Sequence, residues 1–448
     1  MFRILIIGNF SGRTTAEQTR PDALVPRGAV RVDRDDLDAA IAAIAPRIRV
    51  GLLDGTVEVR PKSMEDFHPD RLLETVAPLR ELANLRVAPT APAAPRSASP
   101  SRNAAAAEGL LSGGSLLDQI VAAEPGASYQ PQAAPRDEMS EFIRQAVQPH
   151  LAPVEGPAAA SANAKVDDAR RAMLRVILHD RAFQQVEADW RGVELLTRRL
   201  DTGEALDLRV VDLGQDALEA SLRSDASALA ASLGRDVSLV VGLYTFGVGD
   251  IETLGRIATL AHAMHAPWIV GGAPSVAGAE HFVNNGDCDD WSADVAEPWQ
   301  ALRRHAHAKW LGVAAPRYLA RVPYGRASDP CERLAFKELA EGGVPHESLL
   351  WGNPAIICAA VVGEAISVDE DPNHGTVDGL PMYVAREDGV PTAVPCTESL
   401  ITQRSVMFLL DRGVTPLASQ KDGDAIRVSR LQSVASPAAP LSTFEVGR

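Results

Sequence analysis

A chain of 448 residues in which 46% are hydrophobic and 23% charged is long enough for two or three domains with sizeable cores and reads as globular protein. Its formal net charge of −15 argues against nucleic-acid binding, because neutralising phosphates takes a basic surface. Cys288, Cys331, Cys358 and Cys396 are widely spaced and form no Cys-x-x-Cys pair, which excludes a zinc ribbon and fits a reducing, cytoplasmic setting.

Met1 to Gly8 is too short an apolar stretch for a signal peptide. Phe2 to Ile7 instead predicts a buried strand. "VDRDDLDAAIAAIAP" predicts a helix with Asp33 as N-cap and Leu37, Ile41 and Ile44 on one face, stopped by Pro46. "GTVEVRP" reads as a strand. "DFHPDRLLETVAPLRELANLR" then reads as one helix, opened by Pro69 and carrying Leu72, Val76 and Leu79 at i, i+4 and i+7.

Residues 88–165 are rich in Ala, Pro and Ser, too polar and too small to offset their own ordering entropy, and read as a flexible linker. Within them "GGSLLDQIVAA" is an apolar island in which Leu116, Leu117 and Ile120 would line one side of a short helix. That helix either docks on its own domain or is a docking peptide for a partner. "DEMSEFIRQAVQPHL" is a second amphipathic island.

From about residue 166 the pattern is that of a folded α/β domain. "DDARRAMLRVILHDRAFQQVEADWRGVELLTRRL" is helical, in two pieces meeting near His179 and Asp180, and "DLRVVDL" is a strand. "QDALEASLRSDASALAASL" predicts one helix with Asp216 and Glu219 spaced as a capping box and Leu218, Leu222, Leu229 and Leu233 inward. "VSLVVGLY" is apolar on both faces, as a central parallel strand is. A helix from "DIETLGRIATLAHAMH", capped by Asp250, and the strand "PWIVGG" follow. This alternation predicts an open mixed sheet flanked by helices, preceded by a small α/β unit. The longest later apolar run, Pro354 to Val362, is far short of the roughly 20 residues that cross a bilayer, so no membrane insertion is expected.

Little in the chain promises chemistry. The opening loop holds only Gly8 and Gly12, followed by Arg13 and Thr14, and lacks both the three-glycine dinucleotide fingerprint and the Gly-Lys-Ser/Thr of a P-loop. His262 and His265, and His305 and His307, have no neighbouring acid and read as structural or surface residues rather than metal ligands. "NNGDCDDW" and "VDEDPNH" do not match an EF-hand loop. No Gly-x-Ser-x-Gly elbow occurs, and Cys358 lies in an apolar run as a buried thiol. No catalytic residue, metal or cofactor is expected. The alternative kept open on fold grounds is a small-molecule or nucleotide-binding enzyme on a doubly wound sheet.

Taken in order, the segments resemble the two contractile-sheath proteins of bacterial type VI secretion systems, TssB (ImpB, VipA) and TssC (ImpC, VipB). "ILIIGNFSGR" carries Gly8, Phe10, Gly12 and Arg13, and "SMEDFHPDRLLETVAPLRELANLR" carries Asp66, Phe67 and Pro69, as in the small subunit. "AFQQVEADWRGVELLTRRL" with Trp190, Arg191 and Gly192, "KWLGVAAPRYLARVPYG" with Pro323, Tyr324 and Gly325, and "ESLLWGNPAI" with Trp351, Gly352 and Asn353 follow in the order of the large subunit. The resemblance implies a natural fusion: residues 1–87 TssB-like, 88–165 a linker, 166–436 TssC-like, and 437–448 a tail. It makes the opening glycine loop structural. Trp190 and Trp351 then read as core aromatics and Arg191 and Asn353 as turn or cap residues, while "PRYLARVPYG" is either an interface loop exposing Arg321 and Tyr324 or buried packing.

The family forms a cytoplasmic tube around the Hcp inner tube and contracts, and a ClpV AAA+ ATPase disassembles it. The resemblance therefore implies as partners other sheath subunits, the Hcp tube, baseplate components and a ClpV-like ATPase recognising Leu116, Leu117 and Ile120. Family members extend beyond both ends of this sequence into strands that protomers exchange. On that ground the resemblance implies a non-polymerising adaptor, cap or regulator; its rival is a subunit that polymerises through other surfaces.

Overall fold

The computed structural model describes residues 1–20, 26, 28–52, 55–86, 157–234, 236–283, 286–339, 346–387, 390–421 and 423–441. Strand β1 (Phe2–Gly8) is followed by a one-turn helix α1 (Thr15–Gln18), the short β2 (Val30–Arg31) and α2 (Leu37–Ile44). Asp36, not Asp33, is the N-cap of α2. Asp33 sits one turn earlier, where its carboxylate accepts the amides of Asp35 and Asp36 at 3.0 and 2.9 Å. Strands β3 (Ile48–Leu52) and β4 (Gly55–Val59) make an antiparallel hairpin.

The single helix expected after it is broken. A 3₁₀ turn (Met64–Phe67) precedes α3 (Pro69–Thr75) and α4 (Ala77–Asn84). Pro78 has no N–H to donate into α3, and Val76 takes an extended backbone at the junction. Leu72, Val76 and Leu79 are nonetheless all buried, as their spacing requires.

Helix α5 (Pro157–Leu178) begins nine residues before 166, because the Ala-rich stretch that composition alone assigns to a linker also has high helix propensity. Asp180 stops the run and caps α6 (Arg181–Arg199) by accepting the amides of Ala182 and Phe183. After β5 (Leu206–Asp212) the expected single helix is again two, α7 (Gln215–Ser224) and α8 (Ala226–Leu233). They divide at Asp225, whose carboxylate caps α8 through Ala228 N at 2.9 Å. The Asp216–Glu219 capping box does not form: Gly214 is the N-cap, and the Asp216 amide goes to Gln18 Oε1 at 3.1 Å. Strand β6 (Leu239–Phe246), α9 (Ile251–Met264) and β7 (Trp268–Gly272) follow as expected. Asp250 does occupy the N-cap of α9, but its carboxylate accepts the Gly247 amide.

The remaining elements are α10 (Glu297–Arg303), β8 (Leu311–Ala315), β9 (Tyr318–Arg321), β10 (Leu350–Gly352), α11 (Ala355–Ser367), β11 (Gly375–Val377), β12 (Tyr383–Glu387), β13 (Val390–Val394), α12 (Gln403–Asp411), β14 (Thr415–Ser419) and β15 (Ile426–Val428). Nine strands form one mixed sheet in the order β11-β15-β14-β8-β7-β6-β1-β5-β2. Its centre from β14 to β5 is parallel and its edges antiparallel. Residues 437–441 are not a free tail, since Leu441 is buried against Gly312 and Ala439 O accepts the Ser433 amide. Among the described residues no helix is long and apolar enough to cross a membrane.

One core fills each face of the sheet, and β1 feeds both. Phe2, Ile4 and Ile6 join the layer under α6 and α11. Leu5 and Ile7 join the layer under α7, α8 and α9. The first strand of the chain is thus hydrogen-bonded on both sides, from Phe2↔Leu206 to Gly8↔Asp212 along β5 and from Ile4↔Leu239 to Ile7↔Gly242 along β6.

Candidate functional site at the seam around helix α6

The loop after β1 folds on itself. Asn9 clamps Arg13 through two bonds of 2.9 Å, donating from its amide to Arg13 O and accepting the Arg13 N–H. The Gly12 amide donates to Asn9 O, and the Ser11 amide to Asp212 Oδ1. Gly12 adopts φ +69°, with Ile48 and Val186 3.3 Å from where a Cβ would sit, so glycine is required by both conformation and space. The Arg13 guanidinium lies 3.4 Å from Asp212. The amides of Ser11, Gly12 and Arg13 are therefore occupied and do not form a phosphate cradle. Gly8 ends the strand with Asp189 Oδ2 3.3 Å from its missing Cβ.

Helix α6 is the axis of the site because two of its carboxylates, Glu187 and Asp189, are buried rather than solvated. Trp190 is fully buried, 4.9 Å from the Phe10 ring between centroids, and its indole donates to Phe10 O at 3.2 Å. Phe67 packs edge-on against Phe183 at 5.7 Å. Asp66 completes a capping box with Ser63, Pro69 is the first residue of α3, and His68 meets the Tyr324 ring edge-on at 5.0 Å. Gly192 allows α11 to approach, since a Cβ there would lie 2.8 Å from Ile356.

Arg191 is neither a turn nor a cap residue: it lies in the middle of α6, where it donates to Glu187 Oε1 at 2.9 Å and to the Tyr324 hydroxyl at 3.0 Å. Arg321, the last residue of β9, spans the two buried carboxylates, donating to Glu187 at 2.7 Å and to Glu338 at 2.7 Å with its guanidinium 4.1 Å from the Tyr324 ring centroid. Of the two readings left open for "PRYLARVPYG", buried packing is the one found: Arg321 is 7% exposed and Tyr324 1%. Burial opposes ionisation of Glu338, yet Arg321, His179 and the Tyr324 amide outweigh it and hold that carboxyl down at about 2. Burial likewise pushes the Tyr324 hydroxyl above its ordinary range, with Glu187 adding to it.

Pro323 and Gly325 shape the turn that presents Tyr324: Pro323 O accepts the Ser328 hydroxyl, and the Gly325 amide donates to Asp329 O at 2.9 Å. Asn353 is not itself the N-cap of α11, which is Pro354, but a bridge just before it, accepting the Ala355 amide at 3.0 Å while donating to Tyr244 O on β6 at 2.9 Å. Gly352 leaves room for the Tyr318 ring, which occupies the space a Cβ would need. Trp351 is half-buried, stacked on His346 at 4.8 Å, and is not a central core residue. Leu116, Leu117 and Ile120 lie outside the described residues.

Sequence reasoning missed Glu187, Asp189 and Glu338. Glu187 stands four residues before Arg191, a usable pairing signal; Glu338 has none. The histidines it kept apart meet, with His262 and His307 stacked at 4.1 Å. Among the described residues no group of three or more metal-ligating side chains is placed to hold an ion. Burial pushes the Cys358 thiol up to about 12.

Asp189 is the least satisfied member. It is 2% exposed, Gln185 donates to one oxygen at 2.9 Å, and the other has no partner among the described residues. Burial pushes its carboxyl well above the ordinary range, with Gln185 only partly opposing. A raised folded pKa means that the native state binds the extra proton, so this residue costs stability increasingly as pH rises above the unfolded value. Asp189→Asn, which keeps the Gln185 bond, should raise the melting temperature at neutral pH, the gain vanishing below about pH 4. Thermal unfolding of both proteins across pH checks this; a constant difference at every pH contradicts it.

Among the described residues the arrangement is a set of buried ties between residues 1–86, α6 and the segment from 318 to 353. The family description "EvpB/VC_A0108, tail sheath N-terminal domain" matches residues 161–435, and "Type VI secretion system, VipA, VC_A0107 or Hcp2" matches residues 1–91. Among curated proteins the chain is similar to the type VI secretion system sheath protein TssC1 of Pseudomonas aeruginosa, at 29% identity over 304 residues. The match covers 61% of this chain and 61% of that relative.

Proposed function

The chain belongs to the EvpB/VC_A0108 tail sheath family, and from that premise we propose that it is a structural component of a type VI secretion contractile sheath, combining VipA-like and VipB-like parts. The observation that carries the reading is the place of β1: the first strand of the VipA-like part lies between β5 and β6 of the VipB-like part. The two sheath-type parts thereby pack together within one chain, and joining them in one chain gives an effective concentration of roughly millimolar. The division into a VipA-like part over residues 1–87, a linker from 88 up to the start of α5 at Pro157, and a VipB-like part to 436 belongs to this proposal, as does a cytoplasmic location. The role is mechanical, and no catalytic step is assigned.

Its proposed partners are other sheath subunits, an Hcp inner tube, baseplate components and a ClpV-like ATPase. Negative-stain electron microscopy of the untagged protein across a concentration series tests the first of these. Regular tubules are the outcome expected of a polymerising subunit; discrete particles at every concentration would assign an adaptor or cap. For the ATPase, replacing Leu116, Leu117 and Ile120 together by Asp should weaken binding by about a hundredfold or more, as loss of three apolar anchors does. Pull-down titration of the purified ATPase measures it, with unchanged circular dichroism as the control.

A further inference from the structure

The carboxyl ends of parallel strands are where open α/β sheets gather ligands, since the loops there diverge around a crevice. Such a crevice lies beyond β6 and β7, a cavity of about 280 Å³ lined by Val248, Ser275, Val276, Asp294, Trp299 and Arg412 among others. Val276, Trp299 and Arg412 are buried and form its floor; Ser275 and Asp294 are exposed at its rim.

Arg412 is 5% exposed. Its Nη2 donates to the carbonyls of Ser292 and Ala293, and its guanidinium lies 4.3 Å from the Phe408 ring centroid. All three are neutral partners. A guanidinium has five N–H donors, and among the described residues neither Nε nor Nη1 of Arg412 has an acceptor and no carboxylate pairs with the charge. Arg303, a second partly buried guanidinium, is likewise satisfied only by carbonyls, those of Val434 and Ala435. Burial lowers the pKa of Arg412 and Arg303 lowers it further, with Asp294 opposing. A buried charge without a counter-charge is costly, and a pocket beside it is where the counter-charge can enter.

We propose that this cavity is a binding site for a small oxyanion of the carboxylate or phosphate class, anchored by the Arg412 guanidinium with the Ser275 hydroxyl as second donor. The Ser275 oxygen accepts the Val248 amide, which leaves its proton free for a ligand. Asp294 opposes the anion, but it is exposed and screened by water whereas the guanidinium is not. The inference is independent of the sheath reading.

The test is thermal unfolding of the full-length protein in potassium phosphate and in potassium acetate, each against potassium chloride at equal ionic strength. At tenfold over the dissociation constant the melting temperature should rise by about 1–3 °C. A rise in both salts assigns the free anion class, and a rise in acetate alone assigns a carboxylate such as an acidic side chain. Arg412→Met should abolish the rise. Because that change also removes the ties to Ser292 and Ala293, Ser275→Asp provides a second arm: it places a carboxylate at an exposed rim position and should likewise abolish the response. Asp294→Asn should lower the half-saturating concentration roughly two- to fivefold. No rise over chloride, or equal rises in wild type, Arg412→Met and Ser275→Asp, overturns the proposal.

Discussion

Without residues 1–86 the rest of the chain is expected not to fold to a cooperative monomer. Phe2, Ile4, Leu5, Ile6 and Ile7 are each 0% exposed. Full burial of five such side chains contributes roughly 8–15 kcal/mol as an upper estimate, comparable with the whole stability of a typical domain. Removing β1 also strips backbone partners from β5 and β6 at once, leaving two facing edges in the middle of a parallel sheet. The truncated protein should aggregate on expression, and co-expression of residues 1–86 as a separate chain should restore solubility. A milder probe is Ile6→Asp, which places a charge in the core layer under α6 and α11 and should cost more than 4 kcal/mol, in the exceptional range for one substitution. Sedimentation velocity and urea unfolding measure both. If residues 87–448 alone unfold cooperatively with the wild-type midpoint, the central role given to β1 is wrong.

The second large effect is at Arg321. Arg321→Met should destabilise the protein by about 3–5 kcal/mol, because Glu338, 1% exposed, would lose its guanidinium while remaining buried. Glu187 keeps Arg191 at 2.9 Å, so most of the cost falls on Glu338. Combining Arg321→Met with Glu338→Gln should recover much of the loss, since what is costly is the uncompensated charge rather than the missing pair. The pH dependence gives a second reading. Glu338 has a folded pKa depressed to about 2, so its contribution is complete above the unfolded value near 4.5 and is lost as pH falls toward 2. In Arg321→Met that acid slope should disappear, and the two unfolding curves should converge in acid. Parallel curves down to pH 2 would sink this account.

Periodicity was sufficient for the elements whose stabilisation is mainly one buried face. The strands from 2 to 8, 206 to 212, 239 to 246 and 268 to 272 lie where their apolar runs put them, and the buried sets Leu72, Val76, Leu79 and Leu218, Leu222, Leu229, Leu233 match their spacing. Helix continuity was less legible. Pro78 and Asp225 each interrupt a stretch whose apolar face runs straight on, because a missing N–H or a competing side-chain cap acts on the backbone and leaves the pattern untouched. The expected capping acids show the same limit: Asp33 bonds the amides of Asp35 and Asp36, one turn before α2, and Gln18, distant in sequence, takes the Asp216 amide.

By itself, then, the sequence determined the alternation of helix and strand, the two-part composition, and a set of motifs ordered as in sheath proteins. Only the tertiary structure decided that β1 is a central strand flanked by β5 and β6, since strand order depends on pairings across some two hundred residues that carry no local signal. The structure also decided that Arg191, Arg321, Tyr324, Glu187 and Glu338 form one buried cluster. Charged residues at unrelated positions look solvated in a sequence, and only when the chain closes around them does their desolvation show that each was placed for another.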